Sequence, residues 1–134
     1  MIARYRKALL ISLILIMPAM LKAEVRQPNC EQENVSPAQA SSCLDTLQSK
    51  VDQELKTWLN NQQFLLEALA AETGRRGALK IFKRAQRSFT KYREDSCRWQ
   101  YLSLASTQAA AIAYKKCYIK LTQARIDELS QLNK

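Results

Sequence analysis

Residues 85–97 read Ala-Gln-Arg-Ser-Phe-Thr-Lys-Tyr-Arg-Glu-Asp-Ser-Cys, and the way this stretch folds decides the architecture of the chain. It holds neither glycine nor proline, so nothing in it interrupts a helix. At helical spacing Phe82, Phe89 and Ser96 fall on one line and Ala85, Tyr92 and Trp99 on the next, a wide apolar stripe on an otherwise charged helix. The stretch ends in Cys97, so it is expected to be both a wall of the core and the anchor of a disulfide.

Working outward, the helix is expected from about Ala78 to Ser103, with Leu79, Phe82, Ala85, Phe89, Tyr92 and Trp99 facing inward. Before it stands Thr73-Gly74-Arg75-Arg76-Gly77, which contains the only two glycines of the sequence. Gly74 is suited to end a preceding helix in the left-handed conformation. That first helix has its own start signal in Ser36-Pro37-Ala38-Gln39: Ser as N-cap, Pro at the first helical position and Gln at the third. From there Cys43, Leu44, Leu47, Val51, Leu55, Trp58, Leu59, Gln62, Leu66 and Leu69 recur at steps of three and four. A helix of this extent spans about 50 Å, and a break is expected near Asn60-Asn61. A third helix is expected from about Thr107 to Leu132, with Ala110, Ala111, Tyr114, Cys117, Tyr118, Leu121 and Leu129 on its stripe. No window alternates with a period of two, so no strands are expected. The fold class is all-α: a small bundle of about three long helices.

The beginning of the chain is of another kind. Arg4, Arg6 and Lys7 precede an apolar run over 8–21, and Leu21-Lys22-Ala23 ends in a small residue. This is the layout of a secretory signal peptide, and the run is short of the ~20 residues that span a bilayer. We expect 1–23 to be removed, leaving 24–134 as one periplasmic or secreted domain with no stable membrane span. Removal takes away Arg4, Arg6, Lys7 and Lys22 and no acid, so 21 basic residues become 17 against 12 acidic and the net charge falls from +9 to +5. Residues 24–35, with Pro28 and few apolar side chains, read as an irregular arm.

All four cysteines, Cys30, Cys43, Cys97 and Cys117, lie in the expected mature chain, and an even count in an exported protein reads as a disulfide framework. Four cysteines allow three pairings. The join between the second and third helices holds neither glycine nor proline, and local propensity allows one helix from 78 to 132. In such a helix Cys97 and Cys117 would stand about 30 Å apart, far beyond the ~6 Å between the α-carbons of a disulfide. A turn near 104–108 instead sets them at nearly the same height on antiparallel neighbours. The expected pairing is therefore Cys97–Cys117, which leaves Cys30 with Cys43.

Ala85-Gln86-Arg87, the aromatic Phe89, then Tyr92-Arg93, an acidic residue and Cys97 resemble the signature of the lysozyme-inhibitor LprI-like family of small secreted helical proteins. Leu121-Thr122-Gln123-Ala124-Arg125 with Leu129 resembles that family's closing helix, and Asp52 with Leu55 resembles an Asp-x-x-Leu element of its first helix. The likeness runs from Cys30 to Leu129, with the four cysteines in the family's order. Lys56 stands where the family usually has Asn, Leu59 where it has Tyr, and Phe89 where it has Trp. Ala105-Ser106-Thr107 replaces a Gly-Gly-Ser-like turn. The resemblance implies an exported, disulfide-bonded helical domain that acts on a lysozyme or another cell-wall hydrolase.

The chemistry of catalysis is missing from the side chains. There is no histidine, hence no usual general base near neutral pH and no Ser-His-Asp or Cys-His arrangement. There is no glycine-rich phosphate loop and no Cys-x-x-Cys pair for a metal, so neither metal nor cofactor is expected. Adjacent carboxylates at Glu94/Asp95 and Asp127/Glu128 point to different faces of a helix. The chain reads as a binding protein and not an enzyme. Its candidate contact residues are Arg75, Arg76, Lys80, Lys83 and Arg84, the start of a basic run that continues through Arg87, Lys91 and Arg93. A patch of this kind suits a polyanion. The alternative function is accordingly a basic envelope-associated module that holds anionic polymers such as lipopolysaccharide; the expected compartment argues against nucleic acid. Arg93 and Arg125 are expected to pair with Asp52 or Glu54 across the bundle. Many lysozymes are basic and would not attract a basic partner at long range, so the loop over 73–77, with Arg75 and Arg76 at its tip, is the element expected to approach an enzyme's acidic cleft.

Overall fold

Ser36 opens the first helix with a reciprocal cap. Its hydroxyl accepts from the backbone N–H of Gln39 (3.3 Å), and the Gln39 side chain accepts from the backbone N–H of Ser36 (2.9 Å), with Pro37 in the first turn. The helix, α1 (Pro37–Thr73), then runs 37 residues without a break, straight through Asn60 and Asn61. The break expected there does not form, because asparagine is only a mild helix breaker in the interior. Gly74 ends α1 at φ 72°, its N–H bonded to the Ala70 carbonyl at 3.0 Å. Three residues later α2 (Gly77–Ser103) begins, and Thr107 caps α3 (Gln108–Gln131) by accepting from the N–H of Ala110. The computed structural model describes Cys30, residues 34–104 and residues 107–132, with no strand among them. The expected signal peptide, most of the arm, and Ala105 and Ser106 of the second turn lie outside the described residues.

The chain is thus an all-helical bundle carrying two disulfides, Cys30–Cys43 and Cys97–Cys117, with α-carbons 5.6 and 5.5 Å apart. Near the starts of α1 and α3, Lys115 Nζ lies 2.6 Å from Asp45 and donates to the Ser41 hydroxyl at 2.7 Å. These two helices therefore run side by side in the same direction, and α2 runs back between their ends. The core sits between α1 and α3: Leu44, Leu47, Val51 and Leu55 against Ile119, Ile126 and Leu129, with Cys30 at one end. Trp58, Leu59, Phe82, Phe89 and Ile112 pack around it.

Two parts of the expected inward set are different. On α3 the deepest residues are Ala110, Ile119, Thr122, Ile126 and Leu129, whereas the expected stripe named only Ala110 and Leu129 of these. The helix lies against both of the others, so it has two buried faces where a single stripe was expected. On α2, Phe82 and Phe89 face the core, but Ala85 is exposed and Tyr92 and Trp99 are 59% and 62% exposed. Cys97 explains this. It is fully buried because it must meet Cys117, and at ~100° per residue Trp99 and Tyr92 then lie about 140–160° around the helix from it. The inward line becomes Leu79, Phe82, Gln86, Phe89, Arg93 and Cys97.

Candidate functional site

Arg93 is the one charged residue buried outright among the described residues. Its Nη1 donates to the Thr122 hydroxyl at 2.8 Å and lies 3.6 Å from Asp52 Oδ1. Its guanidinium stacks 3.8 Å from the Tyr118 ring centre and 5.4 Å from that of Phe89. The Tyr118 hydroxyl in turn donates to Asp52 at 3.0 Å. Burial pushes the Tyr118 phenol up to about 12, opposed by the nearby Arg93 charge and assisted by the hydrogen bond to Asp52. The cluster joins all three helices, so its residues hold the bundle together. The expected pairing of Arg93 with Asp52 is present. Arg125 instead takes Glu128, at 2.6 Å on its own helix, and lies over Phe89 at 5.8 Å, because one turn of α3 brings Glu128 within reach.

The other end of the molecule is built differently. The starts of α1 and α3 are level, but α1 has 37 residues and α3 only 24, so α1 outruns α3 by about 20 Å. Over that distance α1 has only the first turns of α2 beside it. The hairpin is closed by Ala70, which is buried, by Leu79, and by an ion pair between Lys83 and Glu67 at 3.4 Å. Four large apolar side chains are exposed here: Leu65 and Leu69 continue the core-facing side of α1 past the end of α3, while Phe64 on α1 and Ile81 on α2 lie on outward faces. Leu69, expected inward, is among them because α3 stops short of it.

Charge concentrates at the same end. Between residues 64 and 87 six basic residues stand against two acidic ones. Arg75 and Arg76 are exposed in the turn, and Lys80 and Arg84 on the outward side of α2. Lys83 is half-buried and engaged with Glu67, so of the five candidate contact residues it is the one committed to the hairpin itself. The start of α2 has no acidic residue in its first turn and no side-chain cap. A helix N-terminus is the positive end of the backbone dipole and favours acidic neighbours, so stability does not account for arginines there.

Residues 30–129, three-quarters of the chain, match the family model of lysozyme inhibitor LprI. The chain belongs to the lysozyme inhibitor LprI family. No curated protein and no solved structure was found to match it. The match covers both disulfides, the Arg93 cluster and the overhanging hairpin, and both disulfides fit an oxidising compartment. Among the described residues no helix is long and apolar enough to cross a membrane.

The residues through which the sequence resembles the LprI-like family are spread over this structure unevenly. Asp52, Arg93, Cys97 and Thr122 lie in the interior or in the cluster across the bundle, where they fix the fold. Phe64, Leu65 and Ile81 were not anticipated as surface features. For Leu65 the signal was the difference in expected helix length, which together with the Cys97–Cys117 staple already required α1 to pass the end of α3; Phe64 and Ile81 fall off the inward lines of their helices.

Proposed function

We propose that the protein is exported after loss of residues 1–23 and inhibits a lysozyme or another cell-wall hydrolase, with the overhanging α1–α2 hairpin as its contact element. The observation that carries this reading is the coincidence of exposed apolar residues and unpaired arginines on an element that stands clear of the bundle. An apolar patch rimmed by charge is the make-up of a protein contact surface. Hydrolases of this class act through carboxylates in a cleft, and Arg75 and Arg76 at a narrow tip suit such a target in charge and in shape. Membership of the LprI family supports the target class. The side chains supply binding and no reaction: there is no histidine in the chain.

Purified protein comprising residues 24–134 should slow lysis of cell-wall substrate when mixed at stoichiometric ratios with the susceptible enzyme. A panel of lysozyme types identifies that enzyme, and absence of slowing across the panel would refute the reading. Salt separates it from the alternative, in which the basic end holds anionic envelope polymers. Polymer binding should weaken steeply as ionic strength rises, whereas an interface with a packed apolar centre keeps most of its affinity.

A further inference from the structure

The face of α2 turned away from Arg93 carries a second feature, distinct from the hairpin. Tyr92 and Trp99 are both exposed and stand seven residues apart, two helical turns or ~10.5 Å along one side of the helix. They form one wall of a groove of about 510 Å³, within the range of small-ligand sites. Lys116, Lys120 and Leu121 of α3 form the other wall, and Cys117 lies in its lining, so the Cys97–Cys117 disulfide ties the two walls together. Among the described residues lining the groove none is acidic. The nearest acid along α2, Asp95, is held by Lys91 at 3.0 Å. A large exposed Trp and Tyr are costly to leave in water, and it is the burial of Cys97 that turns both of them outward.

We propose that this groove binds a glycan chain that carries carboxylates. Aromatic faces are electron-rich and pack against the C–H faces of pyranose rings. The spacing of Tyr92 and Trp99 is the reach of a disaccharide unit, which lets each ring meet a sugar of a linear chain. Lys120, exposed on the α3 wall, then meets a carboxylate of the chain, as a point charge that selects for an acid without imposing a fixed geometry. The proposal is independent of the hairpin and needs no hydrolase.

Trp58 and Trp99 are the two tryptophans of the chain, and only Trp99 lies in the groove. In Trp58→Phe protein, an oligosaccharide of alternating N-acetylhexosamine and uronic acid should change Trp99 emission saturably. A neutral chito-oligosaccharide of equal length should bind at least tenfold more weakly. Lys120→Gln should remove that preference, and Trp99→Ala should abolish binding measured by calorimetry. If Trp58→Phe fails to fold by circular dichroism, the emission difference between the unaltered protein and Trp99→Phe isolates the same signal. Equal response to both sugars, no response to either, binding that survives Trp99→Ala, or a response only to vesicles of anionic lipid would each overturn the proposal.

Discussion

At the scale of single residues, Arg93 is the most consequential side chain described. It is buried, stacks on two rings and bonds across to Thr122, so Arg93→Ala removes packing and leaves Thr122 and Asp52 without their cation. We expect a loss of about 3 kcal/mol in chemical denaturation. Asp52 is partly exposed, and water compensates much of what Asp52→Asn takes away; the expected cost is about 1 kcal/mol. Tyr118 gives a pH signature. Its folded pKa of about 12 lies above the ordinary 10.0, so the folded protein holds the phenolic proton where the unfolded chain has released it. The stability linked to this group is full below pH 10 and is lost as pH rises from about 10 to 12. Tyrosine absorbance should show one phenol titrating late, and Tyr118→Phe should remove both that late step and its share of the alkaline loss of stability.

At the scale of elements, each helix boundary follows from a local cause. Ser36, Gly74 and Thr107 act within four residues of themselves, which is why the three helices were legible from the sequence within a residue or so. Cysteine parity and helix geometry together led to both disulfides. The roll of α2 was not legible. Its hydrophobic pattern favours Tyr92 and Trp99 inward, and only partners distant in sequence, Cys117 for Cys97 and Thr122 with Tyr118 for Arg93, turn the helix the other way. The Cys97–Cys117 bridge should accordingly matter more than a cap. It closes a 20-residue separation, worth about 3 kcal/mol in the chain-entropy model. The double change Cys97→Ala and Cys117→Ala should lower stability by about that amount. It should also speed hydrogen exchange around the glycine-free turn between α2 and α3. Removing Cys30–Cys43, with its shorter separation of 13 residues, should cost somewhat less. Equal exchange rates in the turn with and without the bridge would show that packing alone holds the hairpin.

At the scale of the whole molecule, the stabilising contacts and the proposed hydrolase-contact element occupy different ends. The body, where all three helices overlap, contains the core, both disulfides and the Arg93 cluster. The overhang contains the exposed apolar side chains of α1 and the arginines of the turn. Sequence reasoning found the basic half of that end, because a run of Arg and Lys is visible without a fold. It missed the apolar half: Leu65 is exposed by the place where α3 stops, and Phe64 lies on the outward face of α1. The central claim, that the overhang is the contact element, has a test in which function and stability should move apart. Reversing Arg75 and Arg76 to glutamate places acids at the positive end of α2, worth about 0.3–1 kcal/mol each in favour of the fold. The melting temperature of Arg75→Glu/Arg76→Glu should therefore stay level or rise, while its inhibition constant against the susceptible hydrolase should weaken about a hundredfold, or ~2.7 kcal/mol. Undiminished inhibition by this folded variant would contradict the account and move the contact to another surface.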